Sequence, residues 1–151
     1  IYDVKYISNN YRLSDISCSL GLSQLKKLEK FISYRKKVAD YYDEKINSKT
    51  IIKRKMDDKS KPGHHLYIIK SKKIKNFKEK EKIFKIFKKN GVILGFHYIP
   101  MYNFSIFRNQ FNPKSFPQSK LYYLQAFSLP IYFNLSLKNQ KKVIYLVNKY
   151  L

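Results

Sequence analysis

One long helical pattern near the start of the chain constrains the fold more than any other feature of the sequence. It runs from Ser14 to Ile46, with strong helix-forming residues throughout. Its apolar residues recur at helical spacing, first at Leu13, Ile16 and Leu20 and then, after a shift, at Leu25, Leu28 and Ile32. Ser14 is a good N-cap residue, and Gly21 lies where the stripe shifts. We therefore expect one long helix that bends near Gly21 and packs Cys18 into a core.

The middle of the chain has the pattern of a small α/β unit. Residues 47–63 are polar and predict a loop or a short edge hairpin. Residues 64–70 predict a strand, residues 79–90 a helix, and residues 92–98 a second strand interrupted by Gly95. His64 and His65 are neighbours on the first strand, so they should point to opposite faces with one of them exposed.

The last third of the chain predicts two more helices around an extended segment. Phe116-Pro117 should introduce a short helix over residues 118–125, and residues 127–130 should be extended. The final helix should begin near Ser136. Its buried face is predicted to be Val143, Ile144, Val147 and Leu151. A chain of 151 residues with this pattern forms one domain or a piece of a larger one.

The charge of the chain is strongly positive, with a formal net charge of +22. Such a charge raises the question of nucleic acid or an anionic membrane as a partner. Only four of the 32 basic residues are arginine, the side chain suited to phosphate and base recognition, and lysines occur in every segment. We therefore assign the charge to solvated faces and expect no nucleic-acid partner. Apolar runs are too short to cross a bilayer, and a cytoplasmic protein is expected.

Two segments could carry binding chemistry. Residues 9–12 (NNYR) lie directly ahead of a helix N-terminus, which suits anions. Residues 96–102 place His97, Tyr98 and Tyr102 where a strand becomes a loop. The alternatives, a simple capping turn and an aromatic loop packed on the core, remain open on chemistry alone. The sequence has no Gly-rich phosphate loop, and its lone cysteine excludes an internal disulfide and a cysteine zinc site.

Five segments resemble the DegT-type (DegT/DnrJ/StrS) sugar aminotransferases, which depend on pyridoxal phosphate. They follow in the family's order and spacing: NYRLSD at 10–15 with LGLSQL at 20–25, HLY at 65–67, Gly91 with HYIP at 97–100, FP at 116–117 with Ser119, and LPIY at 129–132. Each segment alone is a weak signal, but together they cover nearly all of the chain.

The resemblance implies an α/β fold, namely the long linking helix and small C-terminal α/β domain of a type I pyridoxal-phosphate aminotransferase. Residues 1–47 would form the loop and linking helix, and residues 48–151 the small domain. The large domain, with the lysine that binds the cofactor, would lie upstream and outside this chain. The chain alone would then be inactive, and no catalytic residue or metal ligand is assigned to it.

The resemblance also implies roles for individual residues. Asn10 matches the asparagine that reaches the cofactor phosphate of the neighbouring subunit in a homodimer with shared active sites. Arg12, His97, Tyr98 and Tyr102 would line the site of the nucleotide sugar. The sequence departs from the common pattern at residues 8–9, where Ser-Asn replaces a frequent Gly-Tyr, and at Tyr102, where many members have a second histidine.

The segments at 13–32 and 97–107 are similar to one branch of the family, which acts in pseudaminic acid synthesis. That branch moves an amino group from glutamate to C4 of a UDP-linked 4-keto-6-deoxy sugar. We therefore expect this substrate pair, and with it a role in polysaccharide biosynthesis. The alternatives are another DegT-type nucleotide-sugar aminotransferase, a catalytically dead partner, or a basic nucleic-acid-binding module.

Overall fold

The computed structural model describes residues 3, 5–7, 9–54, 59–107 and 109–151. Five α-helices and three strands follow in the order α1 (Asp15–Leu25), α2 (Leu28–Lys45), β1 (Ile51–Ile52), β2 (Tyr67–Ser71), α3 (Phe77–Lys89), α4 (Pro117–Gln125), β3 (Ala126–Leu129) and α5 (Leu137–Tyr150). Short 3-10 turns lie at Met101–Asn103, Ser105–Phe107 and Pro113–Ser115. Within these residues, none of the helices has the length and apolar character required to cross a membrane.

The long helical segment is two helices instead of one. Ser14 caps α1 as predicted, since its hydroxyl oxygen accepts a hydrogen bond from the Ser17 amide at 3.3 Å. The break lies at residues 26–27 and not at Gly21, because the Lys27 amide bonds to Gln24 in 3-10 fashion and interrupts the α-helical ladder. The prediction that Cys18 is a core residue is wrong: none of the residues of α1 is buried, and Cys18 is exposed.

The sheet is antiparallel, with β2 between β1 and β3. The first predicted strand begins three residues late, at Tyr67, where the pairing with β3 starts opposite Leu129; His64 has a φ of 47°, which lies outside the strand region. The second predicted strand, 92–98, is reduced to a single bridge between Gly95 and Ser128 of β3. Buried and exposed side chains nevertheless alternate along this segment, since Val92 and Leu94 are buried and Ile93 is exposed.

The core lies between the sheet and the helices α2, α3 and α5. Val143, Ile144, Val147 and Leu151 are all buried, which confirms the predicted face of α5. The largest fully buried side chains are Tyr42, Tyr67, Phe87, Phe127, Ile46 and Ile69. Polar contacts fix the last helix to α2, because Asn148 accepts from the Asn47 amide at 3.0 Å and donates to the Lys45 carbonyl at 3.1 Å.

A polar cluster fastens the segment before β2 to α2. Asp43 accepts a hydrogen bond from the Tyr67 hydroxyl at 2.5 Å and pairs with Arg54 at 3.1 Å. Arg54 also approaches Nδ1 of His64 at 3.1 Å. Burial, followed by the charge of Arg54, lowers the pKa of His64. His64 is buried and His65 exposed, so the predicted split is correct although neither residue lies on the strand.

Candidate substrate-binding site

His97 is fixed to the sheet by the bridge that precedes it. The Gly95 amide donates to the Ser128 carbonyl at 3.0 Å, and the Ser128 amide donates to the Gly95 carbonyl at 2.8 Å. Two residues further on, Nδ1 of His97 lies 2.7 Å from the hydroxyl oxygen of Ser128. The imidazole is partly buried, and it meets the exposed ring of Tyr98 edge-on at 4.7 Å. The peptide bond between His97 and Tyr98 is cis.

Tyr102 lies in an aromatic cluster beyond His97. Its ring stacks on Phe116 with centroids 5.8 Å apart and planes inclined by 19°. Phe111 meets the same Phe116 ring edge-on at 6.2 Å. An apolar cavity of about 290 Å³ opens here, lined by Pro100, Met101, Tyr102, Phe111, Phe116 and Ser119. This cavity offers a flat aromatic wall and little hydrogen bonding.

A second groove lies beside this cavity and shares part of its lining. It has a volume of about 440 Å³ and is bounded by Tyr98, Ile99, Pro100, Met101, Gln118, Ser119 and Tyr122. Polar side chains from α4 therefore face the segment that carries His97. Tyr98 and Tyr102 line neighbouring spaces instead of one pocket, and Pro100, Met101 and Ser119 border both.

A buried lysine lies between α3, the end of α4 and β3. Lys80 of α3 is 5% exposed, and its ammonium group donates to the carbonyl oxygens of Tyr123 and, at 3.2 Å, Ala126. It also lies 4.6 Å from the centre of the Tyr123 ring and 5.3 Å from that of Phe127. Burial lowers the pKa of Lys80 to about 8. Lys80 thus joins the end of α4 to the start of β3.

We expect the free energy of unfolding of the Lys80→Met variant to rise less steeply with pH than that of the unmodified protein. Lys80 binds its proton less tightly in the folded state, with a pKa of about 8 against an ordinary 10.5. Between these values the unfolded state holds more protons, so the free energy of unfolding of the unmodified protein should rise with pH. Urea denaturation between pH 8 and 9.5 measures this slope, below the range in which tyrosines titrate. The slope should flatten in Lys80→Met and persist in Lys82→Met, an exposed neighbour; equal slopes in both variants would contradict the assignment.

The second part of the predicted site is the turn ahead of α1. The side-chain oxygen of Asn10 accepts from the Arg12 amide at 3.1 Å and from Nε of Arg12 at 3.2 Å. Among the described residues, the amide nitrogen of the Asn10 side chain has no acceptor and is free to donate. Both side chains are exposed. Within the residues that the structure describes, no hydrogen bond, ion pair or ring contact joins residues 9–12 to residues 96–102. The structure therefore leaves the predicted site in two parts.

Some side chains at the site were not found by sequence reasoning. Ser128, Phe116, Gln118 and Tyr122 contact or border the predicted residues. The FP segment with Ser119 was a signal for α4, and spacing of four residues between Gln118 and Tyr122 places them on one helical face. No local pattern points to Ser128, which reaches His97 from 31 residues away.

Comparison with known proteins gives consistent results. The sequence model of the DegT/DnrJ/EryC1/StrS aminotransferase family matches residues 2–148. The UDP-4-amino-4,6-dideoxy-N-acetyl-β-L-altrosamine transaminase of Campylobacter jejuni is 30% identical over 142 residues, which are 93% of this chain and 38% of that protein. The structure of PseC from Helicobacter pylori, an aminotransferase involved in pseudoaminic acid biosynthesis, superposes with a TM-score of 0.84 at 31% identity, covering 98% of this chain and 40% of PseC.

A third protein has been solved with the cofactor. The putative sugar aminotransferase Spr1654 of Streptococcus pneumoniae, in its pyridoxal-phosphate form, superposes with a TM-score of 0.86 at 24% identity, covering 100% of this chain and 40% of that one. The chain thus spans about two fifths of the length of the proteins it matches.

Proposed function

Because this chain belongs to the DegT/DnrJ/EryC1/StrS aminotransferase family, we propose that it is the C-terminal portion of an enzyme that transfers an amino group to a nucleotide-linked keto sugar. The substrate in this proposal is a UDP-linked 4-keto-6-deoxy sugar, with glutamate as the amino donor. The likeness to the Campylobacter transaminase over 93% of the chain carries this choice. The product would serve pseudaminic acid or a related surface polysaccharide.

We propose that the His97 segment binds the sugar nucleotide. The imidazole is held in one place by Ser128, and polar groups of α4 face the adjoining groove. The flat rings at Tyr102 and Phe116 suit an apolar or aromatic part of the ligand. Arg12 would add a guanidinium, which suits the diphosphate because its donors form a planar fork.

Asn10 is proposed to bind pyridoxal phosphate. Its side-chain nitrogen is a free donor among the described residues, and Ser14, the N-cap of α1, follows four residues later, so that the helix N-terminus nearby favours an anionic phosphate. When bound, the cofactor supplies an electron-withdrawing ring that stabilises charge at the carbon gaining or losing the amino group. The lysine that holds it covalently would lie in the large domain upstream of residues 1–47.

The proposed assembly is a homodimer in which each Asn10 serves the partner's active site. The separation of residues 9–12 from residues 96–102 supports it, because a loop that does not contact its own site can reach across a subunit boundary. In this arrangement residues 48–151 form the small domain and residues 1–47 link it to the large one.

The proposed reaction can be tested with the purified full-length protein. Glutamate and a UDP-linked 4-keto-6-deoxy sugar should yield 2-oxoglutarate and a UDP-linked 4-amino sugar, detected by mass spectrometry. A GDP-linked 4-keto-6-deoxy sugar is the comparison substrate. A higher kcat/KM for the GDP sugar would move the enzyme to another branch of the family, and no amino transfer to either sugar would refute the proposal.

We expect Asn10→Ala to weaken pyridoxal phosphate binding by the full-length protein by about 1–3 kcal/mol, the scale of a hydrogen bond to a charged group. The Kd measured by equilibrium dialysis checks this. Asn9→Ala is the matched control, because Asn9 is equally exposed and its side chain bonds only weakly, at 3.4 Å, to Tyr11. Equal cofactor affinity in the Asn10 variant and the unmodified protein would remove Asn10 from the cofactor site.

A further inference from the structure

The imidazole of His97 lies in a seat formed by two residues of the sheet. Ser128 is 5% exposed, and its hydroxyl oxygen lies 2.7 Å from Nδ1 of His97. The backbones of Ser128 and Gly95 are joined by the two hydrogen bonds of the bridge. Because the bridge fixes both backbones, the Cα atom that carries the hydroxyl is held at a set distance from the segment that carries the ring.

Gly95 leaves the space that the ring occupies. A Cβ atom at this position would lie 3.0 Å from Cε1 of His97 and 3.3 Å from Cβ of Ser128. Both distances are shorter than ordinary van der Waals contact. The backbone of Gly95 lies outside the left-handed region, so the lack of a side chain is required by space and not by φ. A larger residue would push the imidazole away from Ser128.

The seat leaves one ring nitrogen available. Nδ1 is taken by Ser128, whereas Nε2 has no hydrogen-bond partner among the described residues. A serine hydroxyl can donate or accept, so it can hold the ring in either neutral tautomer. The ring is partly buried, and the exposed Tyr98 closes on it edge-on.

From this geometry we propose that Ser128 and Gly95 are positioning residues that hold His97 so that Nε2 faces the nucleotide sugar. The proposal deepens the proposed function and rests on it, since it takes His97 to contact the substrate. Ser128 and Gly95 themselves do not touch the substrate in this arrangement. They act through the orientation of the imidazole.

Ser128→Ala in the full-length enzyme should lower kcat/KM for the UDP-linked keto sugar roughly three- to tenfold, the range for one neutral hydrogen bond. The ¹⁵N chemical shifts of the His97 ring, measured with labelled histidine, should change in the same variant. Ser71→Ala is the matched control, because it removes another buried serine hydroxyl of the sheet, which bonds to the Leu151 carbonyl at 3.0 Å. It should leave the ring shifts and kcat/KM unchanged.

Gly95→Ala supplies a second variant that keeps the Ser128 hydroxyl. It should shift the His97 ring signals and lower kcat/KM by a similar factor. In a His97→Ala background, Ser128→Ala and Gly95→Ala should have no further effect on kcat/KM, because their action passes through the imidazole.

The outcomes separate the positioning role of Ser128 and Gly95 from the proposed function of His97. Unchanged ring shifts in Ser128→Ala, or an undiminished loss of kcat/KM in the His97→Ala background, would overturn the positioning role. Full activity of His97→Ala would instead overturn the proposed function of His97, whatever the ring shifts show. Shifted ring signals together with a loss that vanishes in the His97→Ala background would support the proposal.

Discussion

Replacing His97 by alanine in the full-length protein is expected to lower kcat/KM for a UDP-linked 4-keto-6-deoxy sugar by about tenfold or more. A tenfold loss corresponds to ~1.4 kcal/mol of transition-state stabilisation. The physical reason is that Ser128 holds the imidazole against Tyr98, which borders the α4 groove, and leaves one ring nitrogen free, so that its removal deletes a preorganised polar group. Steady-state kinetics of the full-length enzyme provide the measurement.

His65→Ala is the matched control for this prediction, because His65 is exposed and lies outside the candidate site. It should leave kcat/KM unchanged, and the melting temperature should move little in either variant.

Arg12→Lys should reduce kcat/KM by a comparable factor, since lysine cannot bind a diphosphate with a planar fork. If activity held while the melting temperature fell, both His97 and Arg12 would be structural residues.

Phe87→Ala is expected to lower the free energy of unfolding by about 3–5 kcal/mol, the usual cost of removing a buried phenylalanine side chain. Phe87 is 0% exposed at the inner face of α3. Urea denaturation of the full-length protein checks the loss. Phe77→Ala on the same helix is the control, because Phe77 is 47% exposed and should cost far less. Equal losses in the two variants would show that Phe87 does not belong to the core.

Local signals in the sequence predicted much of the fold. The caps at Ser14 and Ser136 and the buried face of α5 follow from side-chain type and spacing, and the structure confirms them. The fold class, an α/β portion of a pyridoxal-phosphate aminotransferase, is confirmed by the solved relatives, whereas the predicted single long helix is two helices. These features depend on residues close together in sequence or on several motifs in a fixed order.

The errors in the fold have a common physical cause. The alternation over residues 92–98 reports burial of Val92 and Leu94, but whether a ladder forms depends on a partner strand. Cys18 was placed in a core because it lies in a helical pattern and free cysteines are commonly buried, whereas residue type and helical spacing do not say what covers a helix face. In both cases the missing information lies in tertiary contacts.

The residues of the candidate site were predicted one by one from resemblance. The buried polar residues near them, Lys80 and Ser128, were not predicted. Lys80 reads as one of many surface lysines, yet it is buried against aromatic rings and two carbonyl groups. Ser128 occupies an ordinary position in a buried strand. Their roles arise from contacts across tens of residues, which spacing along the chain does not encode.

β3 pairs with β2 on one side and with Gly95 on the other, which has a consequence for motion at the site. All four residues of β3 are buried; Ser128 pairs with Ile68 of β2 and also forms the bridge to Gly95. To carry the backbone at Gly95 away from the sheet, the two hydrogen bonds of that bridge must break and uncover the edge of the sheet. Such openings belong to the rare, cooperative class and not to the fast fluctuations of exposed loops. Residues beyond Tyr98 can therefore fluctuate rapidly, while the backbone that leads into His97 moves only when the edge of the sheet opens.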